Sequence, residues 1–163
     1  IGLALQMYSD VHHQLPPTII GNGGSGWISI LPFLDEKVLY DKFDLNKAMT
    51  EAPNAKARNN TPPVYVCPST VFPEPIRLRG WSSYAFSTGS DYYRAALNKG
   101  AMVDSFNVFS WNRNELLMGP TSLDWMTNLD GASHILLVGE LSFTLRDVRP
   151  NAGFTKWAEG YPY

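Results

Sequence analysis

The stretch Ile1-Gly2-Leu3-Ala4-Leu5-Gln6-Met7-Tyr8-Ser9-Asp10-Val11-His12-His13-Gln14-Leu15-Pro16-Pro17 decides how the chain is read. Ile1, Ala4, Tyr8, Val11 and Leu15 recur at spacings of three and four, the apolar stripe of an amphipathic helix. The spacing predicts a helix over residues 1–15. Ala4, Tyr8, Val11 and Leu15 should be buried against a sheet, with His12 or His13 facing solvent. A helix start usually carries Ser, Thr, Asp or Asn before its first apolar residue and acidic residues in its first turn. Neither is present here, and there is no initiator Met. Pro16-Pro17, in contrast, is a firm stop. The expectation is that this segment is the end of a longer N-terminal helix.

The rest of the chain bounds what such a helix can serve. A length of 163 residues suits one domain, 1–163, with a core of its own. The net charge is −2, and Lys and Arg are scattered, Arg77 and Arg79 being the densest group. Nucleic acid is therefore not an expected partner, since it calls for a basic face. The single cysteine, Cys67, excludes an internal disulfide. No stretch reaches the roughly 18 apolar residues of a membrane span, which is expected to lie before Ile1. With 13 glycines, 12 prolines and 13 % aromatics, the composition fits a loop-rich domain with strands.

Residues 16–26 read as a loop, and Trp27 to Leu34 as an apolar run broken by Pro32. Asp35 to Phe43 reads as a short helix with Asp35 near its N-terminus and Val38, Leu39 and Phe43 at helical spacing. Residues 44–63 are polar and turn-rich, an expected exposed excursion. Pro63 to Pro68 reads as a short proline-fenced strand, with further strands at Trp81 to Thr88 and Phe106 to Trp111. His134 to Val138 is the most apolar candidate for a buried strand. The tail from Arg149 to Tyr163 has no periodicity. Together these predict an α+β fold, an N-terminal helix on an antiparallel sheet with long loops.

The sequence holds several constellations that resemble chemistry. Gly21-Asn22-Gly23-Gly24-Ser25-Gly26 satisfies G-x-G-x-x-G, but Pro16-Pro17 precedes it and Pro32 follows, so a flexible surface loop is expected. Cys67 ends a run of Val and Tyr rather than sitting in an electropositive setting, which favours a small buried hydrophobe over a nucleophile served by His12, His13 or His134. His12 and His13 point about 100° apart on a helix and do not share an ion. An EF-hand register on Asn128-Leu129-Asp130-Gly131 would put Met126 and Leu137 at ligand positions, which excludes it. Asp130, Gly131 and Ser133 are instead expected to form a structural turn, with no metal. Asn59-Asn60-Thr61 is a glycosylation triplet by pattern. Hydrolase elbows, zinc motifs, Walker loops and C-x-x-C pairs are lacking, so no catalytic residue or cofactor is expected.

Four blocks in order carry a family resemblance. They are residues 1–10 with Leu15-Pro16-Pro17; Gly26-Trp27 through Ile30-Leu31-Pro32-Phe33-Leu34-Asp35 to Leu39-Tyr40; Val64 to Ser69; and Asp130 to Glu140. Ser82-Ser83-Tyr84-Ala85 is a weaker fifth match. The set resembles a family of bacterial pilin-like proteins common in planctomycetes. That family is labelled either as type II secretion pseudopilins or as a solute-binding domain of unknown function. The first block is similar to its "IGLALHNYHD…FPP" and the last to its "DGTSNTILVGE". Gln6 and Met7 stand where His-Asn is common, and Ala132 and His134 where Thr and Asn are usual. The family's C-terminal His-to-Asp-Gly signature is absent.

The resemblance implies a membrane-anchored subunit exposed outside the inner membrane. On that basis the expected function is the headgroup of a pseudopilin-like structural protein. Ile1, Ala4, Tyr8, Val11 and Leu15 would pack against other pilin-like subunits, and the segment before Ile1 would meet the membrane. The rival expectation is an extracytoplasmic solute- or carbohydrate-binding module, presenting Trp81, Trp111, Trp125 and Trp157 to a sugar or other small molecule.

Overall fold

A computed structural model describes residues 1–17, 19–70, 80–87, 122–129, 131–134, 136–140 and 157–158. The fold is α+β: among these residues it comprises an N-terminal helix, short helical turns and two small antiparallel sheets.

Helix α1 spans Gly2–His12. Ile1 caps it without a side-chain bond, its carbonyl accepting from the Leu5 N–H at 3.1 Å. The helix stops before the prolines. His13 turns left-handed at φ 57°, and its N–H donates to the Ser9 carbonyl. Ala4, Leu5, Tyr8 and Ser9 form the buried face, and Leu15 is buried beyond the helix end. Val11 departs from the predicted stripe and is 63 % exposed. Ala4 and Val11 both lie at the margin of the buried arc. Past Tyr8 the apolar contact is continued by the His12 ring, which lies 4.2 Å from Tyr8 and 6.4 Å from Phe33 between centroids.

Strand β1 (Ile19–Ile20) pairs antiparallel with β2 (Gly24–Ser25), so the glycine-rich stretch is a hairpin rather than a free loop. Gly26 opens α2 (Gly26–Ser29), and the Ser25 hydroxyl caps it by accepting from the Trp27 N–H. A Cβ on Gly26 would stand 2.0 Å from the Pro17 carbonyl oxygen, so only glycine fits at that crossing. A 3-10 turn at Leu31–Leu34 follows and forms the main surface on which α1 rests. Asp35 ends that turn at φ 59° rather than starting a helix; α3 covers Lys37–Tyr40, with Leu39 buried and Val38 exposed.

Residues 44–63 are not an exposed excursion throughout. Met49, Asn54 and Ala57 are buried, and α4 spans Asn54–Ala57. The Asn54 amide ties the loop, accepting from the Asp44 N–H and donating to the Asp44 and Lys47 carbonyls. The proline-fenced run also differs from its predicted strand. Pro63–Tyr65 is a 3-10 turn closed by the Tyr65 N–H on the Pro62 carbonyl, because proline fixes a φ that suits a tight helical turn. Tyr65 is fully buried, and its hydroxyl donates to the Trp27 carbonyl at 2.8 Å. The core is aromatic: Trp27 stacks on Phe86 at 4.0 Å, and Trp157 meets both Tyr65 and Phe43 at 5.7 Å.

Strand β3 (Tyr84–Phe86) falls inside the predicted segment and pairs antiparallel with β4 (Val138–Glu140). Helix α5 covers Leu123–Leu129. The predicted strand at His134 to Val138 is displaced toward the C-terminus. Gly131 takes φ 84° and Ala132–His134 form a 3-10 turn, so pairing begins only where Phe86 offers a partner to Val138. Phe106 to Trp111 lies outside the described residues.

Candidate functional site

Among the described residues, two apolar surfaces stand out beside the filled core. The first is on α1. Leu3, Met7 and Val11 are spaced by four and are 72 %, 43 % and 63 % exposed. Residues four apart on a helix stack into a ridge, here about 12 Å long at 1.5 Å rise per residue. Exposed Gln6 and Asp10 flank it. Of the packing residues expected from sequence, Ala4, Tyr8 and Leu15 belong to the chain's own core, and Ile1 is half-buried beside it. Only Val11 lies on the outward ridge. Leu3 and Met7 were hidden in the sequence because the other stripe fits the same periodicity. The i, i+4, i+8 run was the available signal.

The second surface is a groove of about 600 Å³ between the first turn of α1 and the β3–β4 sheet. Ile1, Gly2 and Leu5 form the helix side; Tyr84, Val138 and Glu140 form the sheet side; Val64, Leu136 and Leu137 close it. Val64 and Leu136 are exposed at its edge. Tyr84 and Glu140 are direct cross-strand partners and supply its polar groups. Burial, the adjacent Cys67 and Glu140 raise the Tyr84 phenol above its ordinary pKa, so it stays neutral through the physiological range.

Cys67 is half-buried and lies beside Tyr84. Its backbone N–H donates to the Ser83 hydroxyl at 3.0 Å, and that hydroxyl also contacts the Thr70 hydroxyl at 3.0 Å. Cys67 is thus only partly buried, short of the buried small hydrophobe expected from the sequence.

The literal G-x-G-x-x-G offers no open cradle. Gly24, Ser25 and Gly26 are buried, the Ser25 N–H donates to the Ala158 carbonyl, and the Ser25 side chain occupies the start of α2. Among the described residues, no three or more His, Cys, Asp or Glu side chains gather as metal ligands.

At the expected turn, Gly131 is left-handed, its carbonyl accepting from the His134 N–H, and the exposed Ser133 hydroxyl lies 3.3 Å from His134 Nδ1. Asp130 lies outside the described residues. Of the aromatics considered as a sugar platform, Trp157 is fully buried, its ring N–H donating to the Arg58 carbonyl. Trp81 is half-buried, while Trp111 and the Trp125 side chain lie outside the described residues.

Among the described residues no helix is long and apolar enough to cross a membrane. Comparison with known families gives a match over residues 1–161 to a profile labelled SBP_bac_10 and described as "Protein of unknown function (DUF1559)". No curated protein and no solved structure matches the chain significantly.

Proposed function

This chain belongs to the DUF1559 family, and on that premise we propose that it is the headgroup of a membrane-anchored, pilin-like structural subunit. The observation that carries the reading is the Leu3–Met7–Val11 ridge. Large apolar side chains aligned on an exposed helix face mark an interaction surface, and an i±4 ridge suits the groove of a neighbouring helix. Other pilin-like subunits are the partners of this face. The sequence preceding Ile1 continues the helix into the membrane, and the domain lies outside the inner membrane. The solute-binding label of the family supports that placement. The role needs no catalytic residue, cofactor, metal or nucleic acid.

Cross-linking in the native membrane tests the proposal. In the full-length protein carrying Cys67→Ser, cysteines placed at Leu3, Met7 or Val11 should cross-link between copies or to a pilin-like partner, and one at Gln6 should not. Leu3→Asp should abolish the adducts while changing stability by no more than ~0.5 kcal/mol. Equal labelling at all four positions, or none, sinks the reading.

The groove favours a second reading, as a solute-binding module. Its volume lies within the range of about 300–1,000 Å³ typical of ligand pockets. Its aliphatic walls suit a small apolar solute better than a sugar. Saturable binding of such a solute, lost in Leu136→Glu with the fold intact, would favour this reading over the first, since Leu136 lines the groove and is exposed at its edge.

A further inference from the structure

The turn Gly21-Asn22-Gly23 joins β1 to β2, with φ of 50° and 83° at its two glycines. It is pressed against the neighbouring 44–48 loop: a Cβ on Gly21 would stand 2.5 Å from the Leu45 carbonyl oxygen. Asn22 is exposed and makes the tie. Its backbone N–H donates to the Leu45 carbonyl at 3.4 Å, and its side-chain Nδ2 donates to the Asn46 carbonyl at 2.6 Å. Asn54 holds the same loop from inside. One exposed amide and one buried amide thus clamp the loop from opposite sides.

The exposed amide is followed by glycine. A following residue with no side chain leaves its backbone nitrogen open to approach the asparagine side-chain carbonyl. Nothing lies within 4 Å of where a Gly23 Cβ would stand.

We propose that Asn22 is a site of spontaneous deamidation, and that the conversion releases the hairpin tip from the 44–48 loop. The Gly23 nitrogen bonds to Asn22 Cγ, and the Cγ–Nδ2 bond breaks. Ammonia leaves, taking up the proton from the Gly23 amide. Water then opens the cyclic imide at either carbonyl, giving aspartate or isoaspartate, with no change of oxidation state. A carboxylate has no proton to donate. The bond to the Asn46 carbonyl is therefore lost, and oxygen faces oxygen in its place. The isoaspartate product also lengthens the turn backbone. Asn46, Asn59 and Asn128 are exposed asparagines followed by residues with a Cβ, and they serve as internal controls.

The whole chain, held at mildly alkaline pH and growth temperature for days, would be followed by peptide mapping and isoaspartate labelling. Acid should accumulate at Asn22 ahead of the three control sites. The melting temperature should fall with it, toward that of Asn22→Asp. In Asn22→Ser, which cannot form the imide, the melting temperature should not drift. If Asn22 keeps its amide in the folded protein but loses it in urea, the fold protects the site and the assignment is wrong. If Asn22 converts and the melting temperature stays fixed, its side chain does not hold the tip.

Discussion

Asn54→Ala removes the amide that makes the 44–57 segment a folded part of the domain. Asn54 is fully buried. Its oxygen accepts from the Asp44 N–H at 2.8 Å, and its Nδ2 donates to the Asp44 carbonyl at 2.8 Å and the Lys47 carbonyl at 3.1 Å. The Ala48 carbonyl lies further off at 3.3 Å. Each net hydrogen bond is worth about 0.5–1.5 kcal/mol, and a stranded buried polar group costs about 1–3 kcal/mol. Lys47 is exposed, so water can replace part of its bond. The two bonds to Asp44 dominate, and the expected loss is about 2–4 kcal/mol. For a chain of this length that lowers the melting temperature by roughly 5–15 °C. Urea unfolding should show the midpoint falling with the slope unchanged.

Asn54→Asp is the sharper companion. It keeps the size and the acceptor but sets a carboxylate against backbone carbonyls, so at neutral pH it should be less stable than Asn54→Ala. Burial raises the folded-state pKa of such a carboxyl. The stability of the protonated form is then fully present below the unfolded value of about 3.9 and is lost as pH rises through the folded value. Asn54→Ala within ~0.5 kcal/mol of the parent, or Asn54→Asp matching Asn54→Ala at neutral pH, would refute the clamp.

Leu15 is 1 % exposed, and Leu15→Ala should cost about 2–5 kcal/mol in urea unfolding, whereas Val11→Ala should stay within ~0.5 kcal/mol. Burial raises the phenols of Tyr65 and Tyr8, helped by Glu36 beside the first and Tyr40 beside the second. Their stabilising contribution is fully present below the unfolded tyrosine value of about 10 and is lost as pH rises through the folded values. Phenolate absorbance should therefore appear in the unfolded chain at lower pH than in the folded one, and Tyr65→Phe should narrow that gap. Coincident titration curves would remove burial as the cause.

Local signals were legible wherever a residue's own covalent limits decide its conformation. The periodic N-terminal segment is a helix, and Gly131 occupies a left-handed position ahead of β4. The run from Trp81 contains a strand, as its composition suggests. Signals that depend on a partner were not legible. Pro63 to Pro68 has strand-like residues but turns as a 3-10 helix, since its backbone closes on Pro62 instead of meeting another strand. The His134 to Val138 run is apolar enough for a buried strand, yet Leu136 is 66 % exposed, and the ladder starts where β3 offers a partner. Asn54 looked like any polar loop residue, because its value lies in carbonyls contributed by residues six to ten positions earlier.

The sequence by itself determined that an amphipathic helix leads into an α+β domain, because periodicity and proline act through the local backbone. Only the tertiary structure decided which side of that helix is covered. Periodicity defines apolar faces without saying where the neighbouring chain runs. The 3-10 turn at Leu31–Leu34 and the aromatic core took Ala4, Leu5 and Tyr8, and left Leu3, Met7 and Val11 to face outward.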